Sequence, residues 1–256
     1  MSDRPPPFTA AQAERYSRHL LLREVGPRGQ RRLLAARVLV VGAGGLGCPV
    51  LAYLAAAGVG TLDVVDSDVV ELSNLQRQIL HGTPDVGRPK TDSAREALEA
   101  LTPDVRVVSH AVRLDEANAA DLMAPVDVVV DGSDNFATRY LVSDTARRLR
   151  KPLVAAALFR FEGQVTVFPN DGLPESACYR CLFPTPPPPG FLPSCQEAGI
   201  LGAVPGLLGS IQAAETLKVL LGIGDSLAGR LLLVDVLAME FRTVRLRRNP
   251  ACRHEE

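Results

Sequence analysis

The stretch "RVLVVGAGGLG", Arg37 to Gly47, constrains the fold of this chain more than any other. Apolar and β-branched residues run into Gly42, Gly44 and Gly47 with the spacing G-x-G-x-x-G. That pattern predicts a strand that turns tightly into a helix whose N-terminus faces phosphate. The next segments keep the rhythm. "CPVLAYLAAAG" reads as the helix, stopped by Gly58, and "TLDVVD" as a second strand. "DSAREALEALTP" is an amphipathic helix ended by Pro103. "VRVVSH", "EANAADLM" and "VDVVVDG" repeat strand, helix and strand, and a helix over Asn135–Arg150 leads to the strand "PLVAAAL". This alternation predicts an α/β fold with a doubly wound, mostly parallel, Rossmann-like sheet. A helix over Ala10–Leu22 precedes it, behind a loose tail at residues 1–9.

The pattern changes after Lys151. "GQVTVF" alternates and reads as a half-buried antiparallel strand. Residues 170–202 form a long irregular loop whose "PTPPPPG" suits neither a helix interior nor a central strand. "GLLGSIQAAETLKVLLG" is a helix, and "RLLLVDV" and "FRTVRLRR" close the chain as strands. The whole chain, 1–256, reads as one domain, with a nucleotide-binding half at 10–150 and a second half at 151–256.

Composition narrows the class. The 256 residues are 46% hydrophobic with a formal net charge of -1, which gives no global electrostatic reason to bind nucleic acid. No apolar run reaches membrane-spanning length, and "MSDRPPPFTA" lacks the apolar core of a signal peptide. The expected location is cytoplasmic. Five cysteines, an odd number, then argue for free thiols, metal ligation or catalysis rather than a disulfide framework.

The glycines alone suit an NAD- or FAD-dependent oxidoreductase. Asp66, ending the second strand, is placed to accept hydrogen bonds from ribose hydroxyls, while Asp68 reads as structural. "ELSNLQRQIL" and "VGRPK" fit a dehydrogenase poorly. They add Arg77 and Lys90 near one phosphate-binding loop, more charge than a pyrophosphate needs and suited to a triphosphate. Asp134, in "VVVDGSDN", falls at the carboxyl end of a strand, where a carboxylate facing a triphosphate would hold Mg²⁺. Ser133, Asp134 and Asn135 are also each suited to cap the following helix. Cys48 reads as a small buried residue, and His19, His81 and His110 as structural or surface residues. Cys178 and Cys181, in "CYRC", have the spacing of half a zinc site.

"GAGGLG", "SNLQRQ", "VGRPK", "GSDN" and "CYRC" occur here in the order found in the bacterial ThiF/MoeB/HesA family, relatives of the ubiquitin-activating enzymes. The chain resembles that family from Arg15 to Cys252. The resemblance implies an adenylyltransferase that uses ATP and Mg²⁺ to activate the C-terminal glycine of a small ubiquitin-like sulfur carrier ending in Gly-Gly. It implies an ATP site of Gly42, Gly44, Gly45, Asp66, Ser73, Asn74, Leu75, Gln76, Arg77, Lys90, Asp134 and Asn135, with Mg²⁺ on Asp134. Arg18 matches an arginine that reaches the γ-phosphate from the neighbouring subunit, which implies a homodimer. Cys195 matches a cysteine that joins the carrier through sulfur in some members. The family completes a zinc site with a second C-x-x-C after "NP". Here Cys252 is present and the second cysteine is replaced by Glu255 beside His254, so zinc would rest on Cys178, Cys181 and Cys252 plus Glu255, His254 or water. The chain ends without an appended sulfurtransferase domain, so the reading expects a separate sulfur-donor protein. The rival readings are the oxidoreductase and a degenerate scaffold that binds carriers without turnover.

Overall fold

The computed structural model describes residues 7–252 apart from 174, 187 and 189–197. Eight strands form one sheet in the order β3-β2-β1-β4-β5-β6-β7-β8. β1 (Arg37–Val41), β2 (Thr61–Val65), β3 (Arg106–His110), β4 (Val128–Asp131) and β5 (Leu153–Phe159) run parallel. β6 (Glu162–Phe168), β7 (Arg230–Asp235) and β8 (Glu240–Arg245) continue antiparallel from β5. The strand order reverses between β1 and β4, the crevice where open α/β sheets take ligands.

The parallel strands read as continuous apolar runs because both faces are covered. On one face α4 (Gly47–Ala56), α5 (Lys90–Leu101) and the long helix α9 (Ala203–Leu221) bury Val38, Val40, Leu51, Leu54, Leu98 and Leu208. On the other, α6 (Ala119–Met123) and α7 (Phe136–Arg148) enclose Leu39, Val129, Met123 and Val142.

The N-terminal segment departs from expectation. The single helix predicted over Ala10–Leu22 is two, α1 (Ala10–Arg15) and α2 (Ser17–Leu20), broken at Tyr16 with φ −95° and ψ 11°. Tyr16 is 2% exposed, and its hydroxyl donates to Asp104 Oδ2 at 2.9 Å. Anchoring that ring in the body sets the backbone at the break. Arg15 and Arg18 therefore share no single helix. Arg15 donates to the Leu101 carbonyl at 3.2 Å, while Arg18 is exposed and forms no ion pair among the described residues. A further helix, α3 (Gly26–Ala35), was hidden by Pro27, which sits at the helix start where its missing N–H costs nothing. Inside the expected loop 170–202, α8 (Tyr179–Leu182) forms one helical turn.

Candidate active site

The glycine loop follows β1. Gly42 has φ +93°, a conformation that a side chain would strain, and its N–H donates to Val65 O at 2.8 Å. A Cβ on Gly47 would overlap the Gly42 carbonyl oxygen, so only glycine lets α4 begin there. At the switch point the two loops touch: a Cβ on Gly42 would lie 3.1 Å from the Gly132 carbonyl oxygen.

Asp66 is committed to backbone. Its Oδ2 accepts the Ala43 N–H at 2.8 Å and its Oδ1 accepts the Asp68 N–H at 2.8 Å. Burial pushes its carboxyl above the ordinary range, against the pull of Lys90 and these two amides. Each oxygen keeps lone-pair capacity for a hydroxyl.

Asp68, read from sequence as structural, pairs with Lys90. Lys90 opens α5 with its side chain 8% exposed, and its Nζ lies 2.8 Å from Asp68 Oδ2. Lys90 is therefore no solvated surface cation. The segment carrying Ser73, Asn74, Leu75, Gln76 and Arg77 begins as a 3₁₀ turn, Leu72–Asn74. Arg77 donates from Nη1 to the Ser73 carbonyl at 2.9 Å. Its stem lies over the glycine loop, since a Cβ on Gly45 would meet Arg77 Cγ at 3.6 Å. The chain thus brings Gly42, Gly44, Gly45, Asp66, Arg77 and Lys90 to one end of the sheet.

Of the "SDN" triplet, Asn135 is the cap: its side chain accepts the Thr138 N–H at 2.9 Å. That leaves the Asp134 carboxylate exposed above β4. Asp131 and Arg139, which sequence reasoning missed, are buried. Asp131 Oδ1 accepts the Ser133 N–H at 2.9 Å, and Arg139 Nη2 donates to the Ser133 carbonyl at 3.1 Å. Burial pushes the Asp131 carboxyl up, against the pull of nearby Arg139. Arg139 Nε has no hydrogen-bond partner among the described residues, and Arg139 lines a crevice with Asp131, Ala155, Gln164, Tyr179 and Leu231. The signal was Asp131 itself, the first acid of "DGSDN", ending a buried strand.

Cys178 caps α8, so Cys181 returns on the same side one turn later. Cys178 Sγ lies 3.8 Å from both Cys181 Sγ and Cys252 Sγ. These three are the one His/Cys/Asp/Glu cluster of ion-holding geometry among the described residues. Cys195, His254 and Glu255 lie outside those residues.

The glycine loop thus lies at the sheet's switch point with the Arg77 stem over it, Lys90 held to Asp68, close in sequence to the loop's partner Asp66, and Asp134 exposed after β4. The chain belongs to the ThiF family, whose model matches residues 16–254. It is 56% identical over 247 residues to the sulfur carrier protein adenylyltransferase of Thermus thermophilus, spanning 96% of this chain and 91% of that protein. It is 54% identical to the SAMP-activating enzyme E1 of Haloferax volcanii, over 95% of this chain and 88% of the other. It is 53% identical to the mouse adenylyltransferase and sulfurtransferase MOCS3, but spans only 55% of that longer protein. Among solved structures, Escherichia coli MccB with ATP superposes with a TM-score of 0.79 at 22% identity, covering 95% of this chain and 74% of that one. That likeness bears on the fold alone.

Proposed function

We propose that this protein adenylates the C-terminal glycine of a ubiquitin-like sulfur carrier, consuming ATP and releasing pyrophosphate. The observation that carries the reading is the Arg77 stem over the glycine loop, with the buried Lys90 ammonium held by Asp68, whose neighbour Asp66 accepts the loop's Ala43 N–H, in a chain 56% identical to a named sulfur carrier protein adenylyltransferase. The carrier's terminal carboxylate is already ionised and attacks the α-phosphorus. The bond from that phosphorus to the bridging oxygen breaks, and pyrophosphate leaves with its electron pair. Alignment and charge neutralisation do the work, with no general base. Asp66 takes the ribose hydroxyls, Gly44 and Gly45 admit the phosphates, Asn74 hydrogen-bonds there, and Arg77 and Lys90 neutralise the phosphate charge. Ser73, Leu75 and Gln76 shape the same wall.

Asp134 is the ligand for Mg²⁺, which when bound offsets phosphate charge. Its exposure beside the glycine loop supports that role. Zinc fits the three thiols: a Zn–S bond of about 2.3 Å places tetrahedral sulfurs roughly 3.8 Å apart, the separation of Cys178 from Cys181 and from Cys252. His254, Glu255 or water completes the set. Such a centre pins α8 to the C-terminal segment and serves structure, not the reaction.

The crevice along Ala155 and Gln164 suits an extended Gly-Gly tail, because small side chains let a backbone lie close. Exposed Phe159, Phe161, Leu237, Met239 and Phe241, at the turns joining β5 to β6 and β7 to β8, offer an apolar surface for the carrier's body. Homodimerisation is supported by exposed Leu21, following Arg18, and by Leu72 and Ile79 on either side of Arg77. Arg18 of one protomer would then complete its partner's site. Cys195 is the candidate thiol for a covalent step with the adenylated carrier, and sulfur comes from a separate donor protein. Five cysteines, an odd number, suit the reduced thiols of a cytoplasmic location. ATP–pyrophosphate exchange tests the reading: exchange with a carrier ending in Gly-Gly supports it, and none with any such carrier refutes it.

A further inference from the structure

His81 is 6% exposed and lies beneath the glycine loop. Its Nε2 is 2.9 Å from the Ala43 carbonyl oxygen and its Nδ1 is 2.8 Å from Ser93 Oγ. A carbonyl only accepts, so Nε2 carries the proton and Nδ1 accepts from the serine hydroxyl. We propose that His81 is a positioning residue of the nucleotide site, locking the Ala43 peptide of the glycine loop to the helix that carries Lys90.

The hydrogen bonds form a closed ring. Asp66 holds the Ala43 N–H, Asp66 also holds the Asp68 N–H, and Asp68 pairs with Lys90. Lys90 begins α5, and Ser93 stands one turn along the same helix. Ser93 donates to His81, and His81 returns to the Ala43 carbonyl. Cys48 Sγ adds a weaker bond to the same oxygen at 3.3 Å. Both backbone polar groups of one loop residue, Ala43, are therefore fixed, the N–H by Asp66 and the carbonyl by His81. The backbone that admits the phosphates and the ammonium that neutralises them move as one unit.

His81 is built to stay neutral in this role. Burial lowers its pKa, and Lys90 adds to that, while the Ala43 carbonyl, Asp85 and Asp66 pull the other way. Cys48, its sulfur 3.8 Å from Nε2, is no proton partner, because burial pushes that thiol up to about 12. The ring thus needs one tautomer, which the Ala43 carbonyl sets and the Ser93 hydroxyl completes by donating to Nδ1.

The inference rests on the ATP reading, and the test separates the two. MgATP binding is measured by calorimetry on the full chain, for wild type, His81→Leu, His81→Gln and Ser93→Ala, with KM for ATP and for the carrier measured in parallel. His81→Leu strips the buried Ala43 carbonyl of its main side-chain donor and is expected to weaken MgATP binding about tenfold or more. KM for ATP should rise with it and KM for the carrier should not. Glutamine keeps an amide donor at a similar reach and should restore most of the affinity. Ser93→Ala, the milder change, should weaken binding several-fold. A merely structural histidine would lower the melting temperature and leave the affinity of folded protein unchanged. Wild-type MgATP affinity in folded His81→Leu overturns the proposal. If that variant does not fold, wild-type affinity in Ser93→Ala overturns it. A wild-type chain that binds no MgATP refutes the ATP reading and this proposal with it.

Discussion

Replacing Lys90 with methionine separates catalysis from folding. Lys90 is 8% exposed, but its partner Asp68 is 66% exposed, so the acid left behind is solvated by water. Methionine keeps much of the aliphatic stem. A pair with one partner this exposed contributes about 0–1 kcal/mol to stability, so Lys90→Met should unfold within roughly that of wild type. The effect on reaction is another matter. On the proposed reading, the ammonium faces the departing pyrophosphate anion in the transition state. Removing one preorganised charge-stabilising donor costs about 2.7–4 kcal/mol, or roughly 10²–10³ in rate. The assay is ATP–pyrophosphate exchange with a Gly-Gly carrier, beside urea denaturation of the same preparation. A fall of that size at near-unchanged stability is the predicted result. Exchange within tenfold of wild type would refute the argument, because it would place Lys90 away from the phosphates.

Three further outcomes follow from the geometry. Gly47→Ala forces a methyl into the Gly42 carbonyl and should either unfold the loop or abolish MgATP binding, checked by calorimetry; wild-type affinity would contradict the packing. Burial pushes the Asp63 carboxyl up, but bonds from Arg37 at 2.7 Å and His110 at 2.9 Å outweigh it and hold its pKa below the ordinary range. Stability from this group is present above the unfolded carboxylate pKa of about 3.9 and is lost as pH falls through the lower folded value. Asp63→Asn should therefore be less stable than wild type at neutral pH, with the gap narrowing toward acid; a gap independent of pH would contradict this. Metal analysis should find one zinc per chain, lost on Cys178→Ala; retention of zinc by that variant would remove the three-thiol centre.

The sheet and its switch point were legible because period and glycine spacing are local properties. "GAGGLG" and the strands around it appear where the pattern put them. What escaped depended on contacts across the sequence. The break at Tyr16 comes from a ring anchored to Asp104, 88 residues away. The Asp68 pairing escaped because its partner Lys90 lies 22 residues on and is brought back by the turn between them. His81 reads from sequence as a structural or surface residue, since Ser93 and the Ala43 carbonyl, 38 residues upstream, close on its two nitrogens only in the fold. Arg139 carried no sequence signal, since an arginine on a helix is usually solvated. The triplet at 133–135 was open in sequence, and one hydrogen bond, Asn135 to Thr138, decides which residue caps.

The central claim is that a carrier's terminal carboxylate attacks the α-phosphorus of ATP in this site. Intact mass of a Gly-Gly carrier incubated with the protein, ATP and Mg²⁺ tests it most directly. The account predicts a carrier heavier by one adenylyl group, absent when the terminal glycine is removed and absent with Asp134→Ala. A carrier of unchanged mass, with ATP consumed or not, would contradict it.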